Sequence, residues 1–563
     1  MQRIFKSNLF FLIILASLVF IVYGKSINYE LTGLDDDALT SKKSLYISDI
    51  KNFPKFFLTD CYHNKKITQY YRPVLSLSFA IETILFSVNT KVYHITNIIL
   101  FILALYLMYL FLCKLGQNKT ILKFIILVFC VHPIFVSTVV WLPARNDTLL
   151  AVFVFLFLIN YVNYVKENKL MYFLLSVIFF VFSLFTKETT VIIFPIAALI
   201  TYCFNLKISK KNVLNYSIVV IPILVVYFFL RRVAVAPINL NHYVTFAYDY
   251  FFNVIYGSML YIKYTVVCHN VPILLNDLQF DVISFCISTI CMFSLLLICF
   301  CKLIDTKIII FSLICFVLFL LPTFAQEYYI WLPHRLINPL FAIIIILTAL
   351  VDKLTLKYDV LKKYIVSIFL VLIFTFCFSS YMQADKYKTS KVYWMRAYIN
   401  APTYFLTMDK LADSYVESKE YQKAKDIVLK ILETNKSVEY YLKLADIFYF
   451  IDNDLDLAEE NYLKCLDKPI SLFSKANTLF RLSKIYYLKG ELNKAIEYVE
   501  KSIELLPYNK EALLYLANYY ALNKQFLKAR PIYEKLLKDD KNNEYYKYLI
   551  KTLDEDEREN KIS

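Results

Sequence analysis

Eleven apolar stretches of roughly membrane-spanning length crowd the first 382 residues of this 563-residue chain, near 7–23, 93–113, 121–140, 148–165, 169–186, 189–205, 213–230, 282–301, 308–325, 336–351 and 363–382. Crossing the hydrocarbon core of a bilayer takes about 20 predominantly apolar residues in a helix, with every backbone polar group satisfied inside the chain. The expected fold is therefore all-α, a polytopic bundle of about eleven spans. The first stretch has no small-residue cleavage site, so it reads as a retained helix rather than a removed leader. Two further apolar pieces, 74–88 with Glu82 and the Tyr-rich 249–268 with Asp249 and Lys263, are expected to be interfacial or re-entrant.

A net charge of +15 invites a nucleic-acid reading, but the basic residues are dispersed through short loops instead of gathered into one patch. With a cytoplasmic N-terminus, the inner loops carry Lys114 and Lys119, then Lys166 and Lys169, then Lys207, Lys210 and Lys211, then Lys302 and Lys307, then Lys353, Lys357, Lys362 and Lys363. That is the positive-inside pattern, and no nucleic-acid partner is expected. It also predicts that the polar loop after the first span and the C-terminal region both face the extracytoplasmic side. The twelve cysteines show no metal-ligand spacing and read as small core residues.

From about Ala401 the pattern changes to a helix-pair repeat. Tyr415, Phe448, Tyr486 and Tyr520 mark one position and Ala424, Ala458, Ala495 and Ala529 another, with Gly490 in a turn and Pro507 closing a unit. Small alanines let paired helices approach while aromatics fill the gap above them, the tetratricopeptide (TPR) arrangement, here about four repeats and a charged capping helix at 543–560. A groove of this kind binds a protein or peptide; a purely self-stabilising spacer is the plainer alternative. The expected division is a membrane domain at 1–385, with outer loops at 24–92 and 232–281, a linker at 386–400 and an α-solenoid at 401–563.

Within the first outer loop stands Asp35-Asp36-Asp37. Clustered acids beside a membrane cavity suit a general base or a cation site, and a solvated loop turning at Gly33 is the bland reading. Other polar residues fall on the same expected side. They are Arg72 in Tyr71-Arg72-Pro73, His94 and Asn97 at the start of a span, His132, Trp141, Arg145 and Asp147 at one hairpin, Lys187-Glu188 at the next, and Arg335 beside His334. Singly, Arg145 with Asp147 or Lys187 with Glu188 reads as a local salt bridge, and His94 as a core histidine. Together they set cations opposite an acidic loop, which suits a phosphate-bearing lipid.

The run HPIFVSTVVWLPARNDTLL at 132–150, with LDDDAL at 34–39, YYRPVLSLSFAIE at 70–82, YHITNIIL at 93–100, FTKET at 185–189 and, more weakly, WLPHRL at 331–336, resembles the ordered blocks of bacterial multi-spanning proteins related to the transmembrane and TPR repeat-containing O-mannosyltransferases. That family belongs to the GT-C glycosyltransferases. The resemblance implies a multi-pass protein of the bacterial cytoplasmic membrane with a GT-C-like bundle. It also implies an inverting transfer of sugar from a polyprenyl-phosphate donor to a protein or envelope glycan. Asp35, or next to it Asp36, would be the base. His132, Arg145, Lys187, Arg335 and Arg72 are the candidates for the donor phosphate, with Asp147, Glu188, His94, Asn97 and Trp141 in support. Phe135 and Ser137 stand where the family commonly has His and Glu. No tightly bound metal or cofactor is expected, though Asp35 and Asp36 could recruit a divalent cation loosely. A non-catalytic TPR scaffold and a transporter of polyprenyl-linked saccharides are the competing readings.

Overall fold

Each of the eleven apolar stretches is largely helical over its described residues in the computed structural model, which describes residues 7–237, 247–268, 270–274, 282–324, 332–540 and 542–562. Parts of the expected outer loop 232–281, and Trp331 of the WLPHRL run, lie outside these residues. Among the described residues there is no strand. The chain divides into two compact units, Met1–Thr407 and Met408–Ser563.

In the first unit the helices are α1 (Asn8–Tyr23), α2 (Asp35–Leu39), α3 (Ser44–Ile47), α4 (Pro73–Phe86), α5 (Thr90–Lys114), α6 (Lys119–Cys130), α7 (Val136–Val140), α8 (Arg145–Glu167), α9 (Leu170–Thr186), α10 (Ile193–Cys203), α11 (Lys210–Ala234), α12 (Ala247–Val266), α13 (Val282–Phe300), α14 (Thr306–Phe324), α15 (Leu340–Lys357), α16 (Asp359–Ala384) and α17 (Ser390–Asn400). Among the described residues, six helical segments are long and apolar enough to cross a membrane, or seven if the bent pair α6 and Pro133–Val140 counts as one. That is fewer than eleven. Part of the shortfall has a local cause, because α9 has 17 residues and α10 has 11, and at 1.5 Å per residue neither reaches a hydrocarbon thickness of about 30 Å. The break after α6 falls at Pro133, which has no N–H to continue the helix; His132 Nδ1 accepts from Ile134 N at 3.2 Å, and the two pieces bend by 56°.

The loops expected to be basic and inner do share one end of the unit. Lys166 Nζ donates to the Lys114 carbonyl at 3.0 Å, Asn118 Nδ2 to Asp352 at 2.6 Å, and the Cys203 thiol to the Lys307 carbonyl at 3.8 Å. The residues following α1, α9 and Leu332 gather at the other end. Residues 386–400, expected as a linker, are instead largely the helix α17, with Tyr393, Trp394 and Ala397 buried.

The second unit is a run of helix pairs: α18 (Phe405–Glu417) and α19 (Tyr421–Thr434), α20 (Val438–Ile447) and α21 (Leu455–Leu466), α22 (Leu472–Leu488) and α23 (Leu492–Leu505), α24 (Lys510–Leu522) and α25 (Phe526–Asp539), then α26 (Glu544–Ile562). The four alanines read as helix-approach positions are all fully buried, and Phe448, Tyr486 and Tyr520 are buried above them. The turn inside each pair carries one residue at positive φ, in order Lys419, Asn453, Gly490 and Lys524. Neighbouring pairs are tied by Lys443 to Asp409 and Asp413, by Arg481 to Asp446 and by Lys489 to Glu459.

Candidate functional site

The polar loop after α1 is built around Asp36. Its Oδ2 accepts from Thr32 N at 2.5 Å and Thr32 Oγ1 at 2.9 Å, and its Oδ1 from the backbone N–H groups of Leu34 and Asp37, each at 3.1 Å. Burial pushes its carboxyl up to about 6, against the Thr32 bonds that favour the ionised form. With both oxygens committed to its own loop, Asp36 fixes the turn and presents nothing to a ligand.

Asp35, one residue back, points into a cavity of about 200 Å³. Arg72, Trp141, Asp147, Lys187, His334, Arg335 and Tyr393 line the same cavity. Asp35 Oδ1 accepts from the Tyr62 hydroxyl at 2.8 Å. Burial raises the Asp35 pKa from its ordinary value, opposed by the Tyr62 bond and the Arg72 guanidinium. A carboxylate so placed is a better base than an exposed one.

Opposite it the cations are held by partners from distant parts of the chain. Lys187, extended at the end of α9, places Nζ 2.7 Å from Asp147 Oδ1. Burial lowers its pKa to about 8; Asp147 opposes the shift, while Arg335 and Arg72 add to it. Arg72, just before Pro73 opens α4, lies 3.7 Å from Glu188 and over the Tyr70 ring. His334 Nε2 is 3.6 Å from Asp147 Oδ2, but burial holds its pKa at about 3 despite Asp147, so it is neutral at physiological pH. Three cations and two carboxylates therefore face one cavity. The local pairs Arg145 with Asp147 and Lys187 with Glu188 do not form; each residue instead pairs across the fold.

Arg145 is not in the cavity. It is fully buried, with Nε donating to Asn97 Oδ1 at 2.7 Å, NH1 to Glu82 Oε2 at 2.7 Å, and NH2 to the Tyr93 carbonyl at 2.9 Å. Its guanidinium also covers the Phe79 ring. Arg145 and Asn97 thus clamp α4, α5 and α8 together, and Arg145 is spent as a phosphate ligand. His132 is likewise elsewhere: its Nε2 lies 3.1 Å from both the Thr265 carbonyl and the Cys268 thiol. His94 is 2% exposed and packs edge-on against Tyr29. Glu188 reaches the site only through Arg72. Trp141 is at the cavity, with its indole N–H donating to Thr32 Oγ1 at 3.3 Å and its ring against His334.

Sequence reasoning missed Tyr62, Tyr393 and Asn146. Tyr62 is one tyrosine among many in a polar loop, and Tyr393 lay in the presumed linker. Asn146, whose buried Oδ1 has no hydrogen-bond partner, stood between two charged residues that drew the reading. Among the described residues, no group of three His, Cys, Asp or Glu could hold a metal ion.

The comparisons with known proteins bear on the second unit. The tetratricopeptide repeat family matches residues 486–553, so the chain carries TPR repeats there. Among curated proteins none matches. Two solved crystal structures, one of MamA protein and one of MamA, are each 21% identical to this chain with a TM-score of 0.25; they cover 28% and 27% of it, and 84% and 87% of their own chains. In the repeat unit, Tyr487, Tyr515, Tyr519, Tyr533 and Tyr545 line a hollow of about 480 Å³ between the last helices.

Proposed function

We propose that this protein is a membrane glycosyltransferase of the GT-C type, taking a sugar from a polyprenyl-phosphate donor and passing it to a hydroxyl of a protein or envelope glycan. The observation that carries this reading is the convergence of Asp35 with Arg72, Lys187 and Arg335 on one cavity. Asp35 takes the proton of the acceptor hydroxyl; that oxygen attacks the anomeric carbon and forms the new C–O bond. The bond from the anomeric carbon to the donor phosphate oxygen breaks with inversion, and its electron pair leaves on the phosphate. Arg72, Lys187 and Arg335 stabilise the charge that develops there. A divalent cation held loosely beside Asp35 and the phosphate belongs to the same reading.

The proposed cellular placement draws on the loop charges. The basic loops lie at the end opposite the cavity, which supports a multi-pass protein of the bacterial cytoplasmic membrane with a cytoplasmic N-terminus and an extracytoplasmic cavity. The repeats would hold the acceptor or a partner protein, as the concave faces of helical-pair arrays do. The TPR match also favours a second reading, a non-catalytic scaffold whose repeats organise envelope enzymes.

One experiment separates them. Purified protein in nanodiscs is offered radiolabelled polyprenyl-phosphate sugars and an envelope extract, with and without a chelator, alongside Asp35→Asn. Label transferred by the wild type and lost in the variant supports the transferase. Transfer undiminished in Asp35→Asn, or no transfer from any donor by folded protein, sinks it and leaves the scaffold.

A further inference from the structure

The segment between the last long apolar helix and the repeats grips the loop that carries Asp35. Trp394 of α17 is 1% exposed, and its indole N–H donates to the Thr32 carbonyl at 2.8 Å. Thr32 is the residue whose N–H and hydroxyl hold Asp36, and its hydroxyl also receives the Trp141 N–H. The grip extends on either side. Glu30 N donates to the Lys388 carbonyl at 3.1 Å, and the Tyr29 hydroxyl to Asp385 at 2.7 Å. Gly33, at φ +76°, lies so close to α17 that a Cβ there would stand 3.0 Å from Ser390 Oγ. Tyr393, beside Trp394, forms cavity wall facing Asp35.

We propose that α17 is the positioning element of the Asp35 carboxylate, with Trp394 acting through Thr32 and Asp36 to hold the base at its place in the cavity. The contacts of α17 and its lead-in with Tyr29, Glu30, Thr32 and Gly33 land within six residues of Asp35, and Asp385 also pairs with Lys25 at 2.9 Å. Thr32 is therefore fixed from three directions, by Asp36, Trp141 and Trp394. Asp35 is the first residue of the five-residue α2, so a shift of Thr32 carries the base with it. The same helix immediately precedes the repeats in sequence. A base displaced by about 1 Å loses on the order of a hundredfold in rate while leaving donor binding in place.

The proposal rests on the transferase reading of the cavity, and its test is arranged to tell the two apart. Trp394→Phe keeps an aromatic ring in the packing and deletes one N–H. Expected are a fall in kcat for sugar transfer of about tenfold or more, a donor KM changed by less than about twofold, and a moved acid limb of the rate profile. Hydrogen exchange at residues 30–40 should quicken. Tyr29→Phe, which deletes the bond to Asp385 outside the cavity, should show the same signature more weakly and carries the test if Trp394→Phe does not fold. If Asp35→Asn abolishes transfer while these variants keep full kcat, an unchanged pH profile and unchanged exchange, the positioning role is wrong and the transferase stands. If Asp35→Asn transfers normally, both fall together.

Discussion

Lys187 Nζ lies 2.7 Å from Asp147 Oδ1, with both side chains under a tenth exposed, joining the end of α9 to the first turn of α8 at the cavity. Forty residues separate the partners, and each has a charged or polar sequence neighbour that it ignores. Two residues apart on a helix, Arg145 and Asp147 face different directions, so Arg145 turns inward to Glu82 and Asp147 toward Lys187.

Removing Lys187 therefore strands a buried carboxylate. His334, 3.6 Å from Asp147 Oδ2, is neutral at physiological pH while Lys187 is in place and supplies no second charge to the pair. Lys187→Met should destabilise the first unit by about 3–5 kcal/mol, and the double variant Lys187→Met with Asp147→Leu should recover much of that loss. Chemical or thermal unfolding in detergent checks it. A double variant no more stable than the single one would show that the charge pair is not what the single change disturbs.

Arg145 is expected to matter for stability and not for the donor. Arg145→Lys cannot span Glu82, Asn97 and the Tyr93 carbonyl at once, and should cost roughly 2–4 kcal/mol. Donor affinity measured on the folded fraction should be unchanged. A large loss of donor binding with intact stability would return Arg145 to the phosphate site.

The eleven apolar stretches and the repeat period were legible because they are written as local patterns: runs of apolar residues, and alanines and aromatics 33–38 residues apart. That Asp35, Arg72, Lys187 and Arg335 belong together was expected from the order of the apolar stretches, and they do line one cavity. The division of labour was not. Asp35 and Asp36 are chemically identical neighbours, and only the turn at Gly33 decides that Asp36 closes on Thr32 while Asp35 faces the cavity. That His132 and Arg145 stand outside the cavity was not legible, because a basic side chain near a helix end looks the same in sequence whether it meets a ligand, as expected, or a carbonyl and a thiol, as His132 does, or a buried acid, as Arg145 does. Span count failed for a related reason: apolar composition does not record where Pro133 or Lys187 interrupts a helix.

The pH dependence of transfer should report the surroundings of Asp35. Burial raises its pKa and the Tyr62 hydroxyl lowers it, so Tyr62→Phe removes a bond to the charged form and lets the pKa rise further. The acid limb of kcat/KM, already above the free aspartate value of about 3.9, should move to higher pH in Tyr62→Phe. A limb that stays in place in this variant would mean that the titrating base is another group.

The loop carrying Asp35 should loosen in acid through His63. Its ring is wedged between Tyr46 and Phe56 with neither nitrogen hydrogen-bonded, and burial, with Lys43 adding to it, lowers its pKa to about 4. The neutral ring is what the fold accepts. Stability is thus fully present above the unfolded value of about 6.5 and is lost as pH falls from there toward about 4, by roughly 3 kcal/mol in all. Hydrogen exchange across 44–64 should quicken over that window. The change should flatten in His63→Asn, which tolerates the positive φ at this position.

The repeats offer a test free of any functional assumption. Lys419, Asn453, Gly490 and Lys524 occupy the same left-handed turn in successive helix pairs, and only Gly490 does so without a Cβ. At φ 57°, Lys524 bears a steric cost of about 1–2 kcal/mol that glycine lacks, offset in part by the extra freedom glycine has when unfolded. Lys524 makes its turn contacts through the backbone, its N–H donating to the Ala521 carbonyl at 2.9 Å, so the substitution leaves them intact. Lys524→Gly should stabilise the repeat unit by about 0.5–1 kcal/mol, and Gly490→Lys should destabilise it by a similar amount. Opposite effects from these two changes, read as shifts in unfolding midpoint, would confirm that the turns are equivalent; a destabilised Lys524→Gly would show that its side chain contributes more than its backbone strain takes away.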